Sequence, residues 1–311
     1  RDHPADIIVM EVGLGGRLDA TNISLTTCAT VITPISLDHQ NALGDSCAAI
    51  AGEKSGIMRP SIPCIASRQP SDALGVLTKR ALALPCPLFA CGQDWFSQEK
   101  GQGIKMNLWD GTTHSYPSLG LVGDHQRLNA ATAVATLHAQ NAVSVPEPAI
   151  EQGLAQTQWP GRLQRLDAGR VVDAFPKESE IWVDGAHNAA GASILHHHIT
   201  TYWKSKEDLP FILVLGILSR KDCRPFFDML APLAHQIWSV RSFNQHEGTS
   251  LDEMKKQGFS PIVPCLEFSD LDGLLAHKPL TATPARILFC GSLYFVGEIL
   301  ACVPPSRPSL P

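Results

Sequence analysis

Glu11 closes the apolar run Ile7-Ile8-Val9-Met10 and opens a loop, residues 12–22, that reads Val-Gly-Leu-Gly-Gly-Arg-Leu-Asp-Ala-Thr-Asn. A short apolar run ended by a carboxylate and then by glycines predicts a buried parallel strand that delivers Glu11 to a ligand crevice. Gly13, Gly15 and Gly16 allow a sharp turn and a close approach of backbone to ligand. Arg17, Asp19, Thr21 and Asn22 add polar contacts from the same loop. An acid at a strand tip beside a glycine loop suits Mg²⁺ and a phosphorylated ligand. The glycines do not spell a dinucleotide fingerprint, because position 18 is Leu. A tight strand-to-helix turn with a solvated Glu is the plainer reading of the glycines alone.

Further chemistry-bearing residues sit in similar places. Asp38 and His39 follow an apolar run at 29–33, where an imidazole could ligate a metal or bind phosphate; taken alone, His39 reads as a surface histidine. Gly52-Glu53-Lys54-Ser55 resembles half of a phosphate loop, but Ala48 stands where its first glycine is required, so that reading is rejected. Lys54 near a metal site is more informative. A buried lysine neutralises readily, and a neutral amine takes up CO₂ as a carbamate, a carboxylate-like ligand. Spacing alone favours an ordinary helix-surface lysine. Gly123-Asp124-His125-Gln126-Arg127-Leu128-Asn129 opens a helix whose N-terminus favours anions, and Asn129 lies where it could hydrogen-bond a base. Arg162, in Trp159-Pro-Gly-Arg-Leu-Gln-Arg165, could reach a phosphate. Asp184 and His187 repeat the strand-then-polar-loop arrangement, and Leu215–Asp222 is a strand exit carrying Arg220 and Lys221. His196-His197-His198 lacks a second ligand set at suitable spacing and reads as a helix face.

These residues need a scaffold, and the chain is long enough to supply one. At 311 residues two domains are expected. A hydrophobic content of 44% with 18% charged residues fits a globular protein. A net charge of −5 gives no reason to expect nucleic-acid or membrane-surface binding, and no apolar run approaches the length of a bilayer span. Nine cysteines without a C-x-x-C pair predict reduced thiols in a cytosol-like compartment. Short apolar runs at 7–11, 29–33, 63–67 and 87–90 alternate with helical patterns. They predict α/β layers with a mainly parallel sheet. Ile104–Tyr116 alternates around Asp110-Gly111 and predicts a hairpin. Asp124 is expected to cap a helix over about 125–141. A second series of strands is expected at 181–184, 211–215, 236–240, near 262 and at 286–290. The boundary falls near 160, where Pro and Gly punctuate the chain. The tail after 303 is Pro- and Ser-rich and is expected to be disordered.

Taken together, the segments Glu11–Asn22, Ile32–His39, Gly52–Ile57, Gly123–Ala133, Trp159–Arg165, Asp184–Gly191, Leu215–Asp222 and Cys290–Glu298 resemble, in order, the folylpolyglutamate synthase and dihydrofolate synthase family of Mur-type ATP-dependent ligases. The resemblance implies a P-loop-type central ATP-binding domain over 1–159, a Rossmann-like glutamate-ligase domain over 160–303 and a tail over 304–311. It implies Mg²⁺ ligands at Glu11 and His39 and a carbamylated Lys54. Leu18, Asp19 and Ala20 correspond to the contact with a pterin-bearing substrate. Asn129, Arg162 and Asp184 correspond to ATP-binding positions, and His187 lies at the inter-domain site near the incoming glutamate. The implied reaction is phosphorylation of a substrate carboxylate by ATP, then attack on the acyl phosphate by the amine of L-glutamate. Cations neutralise the moving phosphoryl group and domain closure excludes water. The Gly-Gly-Arg-Leu-Asp-Ala-Thr-Asn loop is similar to bacterial bifunctional enzymes and fungal dihydrofolate synthases. Dihydropteroate is therefore the expected acceptor, with a reduced folate as the alternative. A cytoplasmic monomer is expected, or a mitochondrial one if a presequence was lost.

The family's glycine-rich phosphate loop, of G-T-N-G-K-G-S type, is expected upstream of Arg1. The chain beginning at Arg1 is accordingly expected to bind ATP poorly and to lack turnover. The rival readings are a non-catalytic folate- or nucleotide-binding remnant and a peptidoglycan Mur ligase. The intact Glu11, His39, Lys54, Arg162 and Asp184 argue against the first, and the Arg17–Asn22 loop against the second.

Overall fold

The structure is a computed structural model that describes residues 5–23, 26–203, 209–219, 222–260, 262–277, 281 and 283–304. The chain divides into two compact units, Arg1–Gln158 and Trp159–Pro311. The expected tail over 304–311, apart from Pro304, and the cations Arg220 and Lys221 lie outside the described residues.

Unit 1 begins with a 3-10 turn, Ala20–Ile23, then β1 (Thr30–Ile32), α1 (Gln40–Leu43), α2 (Cys47–Lys54), β2 (Cys64–Ala66), α3 (Ser71–Ala83) and β3 (Leu88–Ala90). The three strands form one parallel sheet in the order β1-β2-β3. Its core joins Ile32, Ile50, Ala51, Cys64, Ala66 and Leu77. Then β4 (Phe96–Lys100), β5 (Gly103–Asn107) and β6 (Thr113–Tyr116) make an antiparallel sheet, followed by α4 (Asp124–Ala139) and α5 (Glu147–Gln156). The expected hairpin is β5-β6. The additional β4 went unread because only Ser97 along it is not exposed, so it carries no apolar alternation. Trp95, Ile104, Met106, Tyr116, Ala131 and Val134 close the core under α4.

Two expectations fail in this unit. Residues 7–11 form no strand, and Ile8 and Val9 are 73% and 94% exposed. Apolar composition predicts burial, but a strand exists only through its ladder, and among the described residues none pairs with this run. Asp124 is also not the helix cap. Gly123, at φ 109°, holds that position and Asp124 is the first helical residue.

Unit 2 contains β7 (Gln164–Leu166), α6 (Arg170–Asp173), β8 (Glu180–Val183), α7 (Ala189–His198), β9 (Phe211–Leu215), α8 (Arg224–Met229), β10 (Gln236–Val240), the short pair β11 (Ser242–Phe243) and β12 (His246–Glu247), α9 (Leu251–Lys256), β13 (Cys265–Phe268), α10 (Leu271–Ala276), β14 (Arg286–Cys290) and α11 (Leu293–Ala301). Six strands order as β13-β10-β9-β14-β8-β7, parallel except for the edge pair β7-β8. The all-buried runs Phe211–Leu215 and Arg286–Cys290 are central strands covered on both faces. The strand expected near 262 lies a few residues later, at β13. Because β14 is laid down last between β8 and β9, the loops leaving β8, β9 and β14 converge at one end of the sheet, where open α/β sheets bind ligands. All nine cysteines are free thiols. Among the described residues no helix is long and apolar enough to cross a membrane.

Candidate functional site

In unit 1 the glycine loop rests on the C-terminal end of α2. The Arg17 N–H donates to the Glu53 carbonyl at 2.9 Å, and the Arg17 guanidinium pairs with the Glu53 carboxylate at 3.0 Å. A Cβ at Gly16 would lie 2.9 Å from the Glu53 oxygen and 3.0 Å from the Lys54 oxygen. Gly15 turns the chain at φ 67°. These glycines therefore serve a close approach of backbone to backbone, which brings Arg17–Asn22 against the helix that carries Lys54. Asn22 completes the junction. Its amide donates to the Arg17 and Gly56 carbonyls at 3.2 and 3.1 Å and its oxygen accepts from Arg59. Sequence reasoning missed Arg59, whose guanidinium also reaches the carbonyls of Asn22 and Gly56; its position two residues past Ile57 carries no local signal.

Asp19 organises the loop from inside. One carboxylate oxygen accepts the Leu14 N–H at 2.9 Å; the other accepts the Thr21 N–H at 2.9 Å and its hydroxyl at 2.6 Å. The Thr21 hydroxyl first, then these amides, hold the Asp19 carboxyl at about 2. Flanking it, Leu18 is 80% exposed and Ala20 is also exposed. The loop thus presents an apolar side chain on a rigid backbone, a surface suited to the flat ring of a ligand.

Glu11 and His39 are exposed, and Lys54 is half-buried in the last turn of α2, where a cation also complements the helix dipole. Among the described residues no hydrogen bond or ion pair joins these three side chains. His39 takes the left-handed conformation, φ 50°, as the N-cap of α1, and its N–H donates to Asp38 at 2.8 Å. A non-glycine residue held there is a form of local strain common at functional sites. The loop between β1 and His39 is clamped by Gln69, another residue the sequence did not signal. Its amide donates to the Ile32 and Thr33 carbonyls and its oxygen accepts the Ile35 N–H. Asn129, exposed on the second turn of α4, donates to the buried Gln126 at 3.1 Å.

In unit 2 Asp184 leaves β8 almost fully buried. Its two oxygens accept the Leu163 and Ala186 N–H groups, both at 2.7 Å. Burial pushes its carboxyl up, and those amides, Arg162 and His187 oppose the shift. The Leu163 bond matters for position. Gly161 and Leu163 both have positive φ, 71° and 44°, so the backbone around Arg162 is held in an unfavourable conformation by its partners. Gly161 accepts the Gly185 N–H at 2.8 Å, and the Arg162 guanidinium passes over Gly185, 2.8 Å from where a Cβ would stand. His187 bonds the Gly185 carbonyl through Nδ1 at 2.9 Å, leaving Nε2 for a ligand, and Asn188 caps α7 by accepting the Gly191 N–H. The structure thus brings Arg162, Asp184 and His187 together around Gly185. In the triplet His196–His198, His198 is buried and stacks among Trp182, Tyr202 and Trp203, consistent with a helix face.

No protein-family model matches the chain. Individual relatives do. It is 31% identical to dihydrofolate synthetase of Saccharomyces cerevisiae over 311 residues, covering 94% of the chain and 70% of that protein. It is 30% identical to the dihydrofolate synthase/folylpolyglutamate synthase of Bacillus subtilis over 305 residues, covering 96% and 67%. Among solved structures, E. coli FolC in complex with DHPP and ADP superposes with a TM-score of 0.78 at 26% identity, covering 93% of the chain and 64% of that protein. The Mycobacterium tuberculosis folylpolyglutamate synthase complexed with ADP and AMPPCP superposes with a TM-score of 0.74 at 25% identity, covering 93% and 66%. The chain thus spans about two thirds of the length of these relatives.

Proposed function

We propose that this chain, which belongs to the dihydrofolate synthase and folylpolyglutamate synthase family of Mur-type ligases, joins L-glutamate to dihydropteroate at the expense of ATP. The observation that carries a pterin-bearing acceptor is the Leu18–Ala20 loop. It is fixed by Asp19 and by its seat on α2, and it exposes Leu18. The similarity to the yeast dihydrofolate synthetase over most of the chain supports the same acceptor.

In this reading residues 1–159 form the central ATP-binding domain and 160–303 the glutamate-ligase domain. Leu18 and Ala20 pack on the pterin, and Asp19 holds them there. Asn129 and Arg162 bind the nucleotide. Asp184 acts chiefly by fixing the Leu163 backbone and so the direction of Arg162, and the free lone pair on each oxygen can still accept from a ligand hydroxyl. His187, with Nδ1 committed to Gly185, offers Nε2 to the incoming glutamate. Glu11 offers an exposed carboxylate, a donor that fits Mg²⁺, with His39 as a further Mg²⁺ ligand, and Lys54, once carbamylated, would help hold a second metal. A bound Mg²⁺ supplies charge neutralisation for phosphoryl transfer. Arg162 supplies a positive charge suited to a nucleotide phosphate.

The test is ATP- and glutamate-dependent product formation with dihydropteroate and, in parallel, tetrahydrofolate, together with direct binding of each acceptor. Tighter binding of dihydropteroate than of tetrahydrofolate is expected, and the binding arm decides even where the chain does not turn over. Preference for tetrahydrofolate moves the chain to the chain-extending branch. Binding of neither acceptor, with no turnover, overturns the ligase reading.

A further inference from the structure

A second constellation of ligating groups lies in unit 1, on residues that the ligase reading does not use. His114 on β6, His138 in the last turn of α4 and Glu147 at the start of α5 bring one ligand atom each within 4.8 Å of one another. Both imidazoles address the same carboxylate oxygen. His114 Nδ1 is 2.9 Å and His138 Nε2 3.4 Å from Glu147 Oε1. The other oxygen, Oε2, is occupied by the Tyr116 hydroxyl at 2.8 Å. The two rings stand 4.2 Å apart.

The surrounding hydrogen bonds decide which nitrogen of His114 carries a proton. The Thr112 hydroxyl donates to Asp110 at 2.7 Å, since a carboxylate can only accept. Its oxygen must then accept at the 2.9 Å contact with His114 Nε2. That fixes a proton on Nε2 and turns Nδ1 toward Glu147. A neutral imidazole would there aim a lone pair at a carboxylate oxygen, an arrangement that asks for a cation between them. Among the described residues His138 Nε2 is buried and makes no hydrogen bond of good geometry, although it faces the Glu147 carboxylate. The Thr112–Asp110 relay is the outer-shell support that metal-bound histidines carry.

We propose that His114 Nδ1, His138 Nε2 and Glu147 Oε1 form a binding site for a divalent transition ion of the Zn²⁺ class. With metal–ligand bonds near 2.0–2.1 Å, tetrahedral ligand atoms stand about 3.3 Å apart, and the two distances to Oε1 straddle that value. Two imidazoles and one carboxylate suit Zn²⁺ better than Mg²⁺. Glu147 is 50% exposed, so the ion has an entry path and a fourth position open to water. The ion would tie β6 to the end of α4 and the start of α5, elements that otherwise meet through the apolar core and the Tyr116–Glu147 hydrogen bond.

The experiment titrates the full chain with Zn²⁺ by calorimetry at pH 7.5, with Mg²⁺ in excess, and with Co²⁺ by visible absorption. One ion per chain is expected. Co²⁺ should show d–d bands and no thiolate charge-transfer band, although nine free thiols are present. Thr112→Val should weaken Zn²⁺ binding about 10- to 100-fold through the lost outer-shell bond, and His138→Gln by more. Absence of binding, which would leave only an imidazolium–carboxylate pair, overturns the proposal. So does a thiolate band, or Zn²⁺ affinity unchanged in His138→Gln. Should that variant fail to fold, the Co²⁺ spectrum of the unaltered chain decides. The readout is metal binding, so its failure leaves the ligase reading untouched.

Discussion

Replacing Gly56 with Ala tests whether the substrate loop owes its position to α2. A Cβ at Gly56 would stand 2.9 Å from the Arg17 nitrogen and closer still to the Arg17 Cα. Carbon atoms in ordinary contact sit about 3.5–4 Å apart, so the loop must retreat by roughly 1 Å. The Arg17 N–H to Glu53 carbonyl bond, now 2.9 Å, would then stretch beyond hydrogen-bonding range. Overpacking of this kind costs about 1–3 kcal/mol and the lost bond about 0.5–1.5 kcal/mol, a sum of about 1.5–4.5 kcal/mol. For a unit of roughly 150 residues that is a fall of about 3–18 °C in the unit's Tm. Gly52→Ala, one turn earlier in α2, is the internal control. Nothing lies within 4 Å of its Cβ position, so it should gain about 0.4–1 kcal/mol from reduced unfolded-state freedom. Calorimetry of both variants, with hydrogen exchange at the Arg17 amide, gives the comparison. If Gly56→Ala melts with the unaltered protein and keeps that amide protected, the loop is not seated as argued.

Leu18→Ala should leave stability within about 0.5 kcal/mol, because the side chain is already 80% exposed. It should weaken acceptor binding by about 1–2 kcal/mol, roughly 5- to 30-fold, if the pterin covers it; unchanged acceptor affinity by fluorescence titration would remove Leu18 from the contact. Asp184→Asn leaves one oxygen for two buried N–H donors, so urea denaturation should show a loss of about 1–3 kcal/mol. ADP affinity should fall with it as Leu163 releases Arg162, and full stability in this variant would contradict the clamp. Arg286, 3% exposed, donates to Glu180 at 2.6 Å and lies 5.1 Å over the Trp203 ring; Arg286→Met should destabilise unit 2 by about 3–5 kcal/mol in calorimetry. Burial pushes the Glu180 carboxyl up, but the Arg286 hydrogen bond and charge more than offset it, and the net shift is downward from 4.5. A depressed carboxyl pKa stabilises above the unfolded value, so this contribution should be lost as pH falls below about 4.5, and the loss should be absent in Arg286→Met.

Much of this was legible because burial on both faces leaves a plain mark. Phe211–Leu215, Gln236–Val240 and Arg286–Cys290 are uninterrupted apolar or nearly apolar runs and became strands at those bounds. The same rule misread residues 7–11, since an apolar run states a preference for burial but does not supply the neighbour that fulfils it. β4 and β7 were illegible for the opposite reason: an exposed strand and an edge strand carry little apolar pattern, and their pairing is decided by the partner. Chemistry-bearing residues at loop starts were readable, because a Gly or Asp beside an apolar run is a local signal. Arg59 and Gln69 were not. Each works by hydrogen-bonding the backbone of a loop about 35 residues away, and nothing adjacent in sequence announces it.

The two aspartates place a common constraint on how such a site can be read. Asp19 and Asp184 are the acids that sequence reasoning would most readily assign to a ligand, yet all four of their oxygens already accept backbone N–H groups. What each loop turns outward is a different residue, Leu18 in one and Arg162 in the other. An acid with two donors on its carboxylate is not readily pulled away from them, and for the buried Asp184 each abandoned donor costs about 1–3 kcal/mol. A ligand is therefore more cheaply met by the apolar or cationic neighbour, which is exposed or half-buried and needs no bond broken. On this argument, a charge-preserving change, Asp19→Glu, should harm acceptor binding nearly as much as Asp19→Ala, because the longer side chain cannot span Leu14 and Thr21 together. Were Asp19 instead a direct ligand contact, Glu should retain much of the affinity. Acceptor titration of the two variants separates these outcomes, and a well-binding Asp19→Glu would show that the carboxylate itself, not the loop it closes, is what the ligand meets.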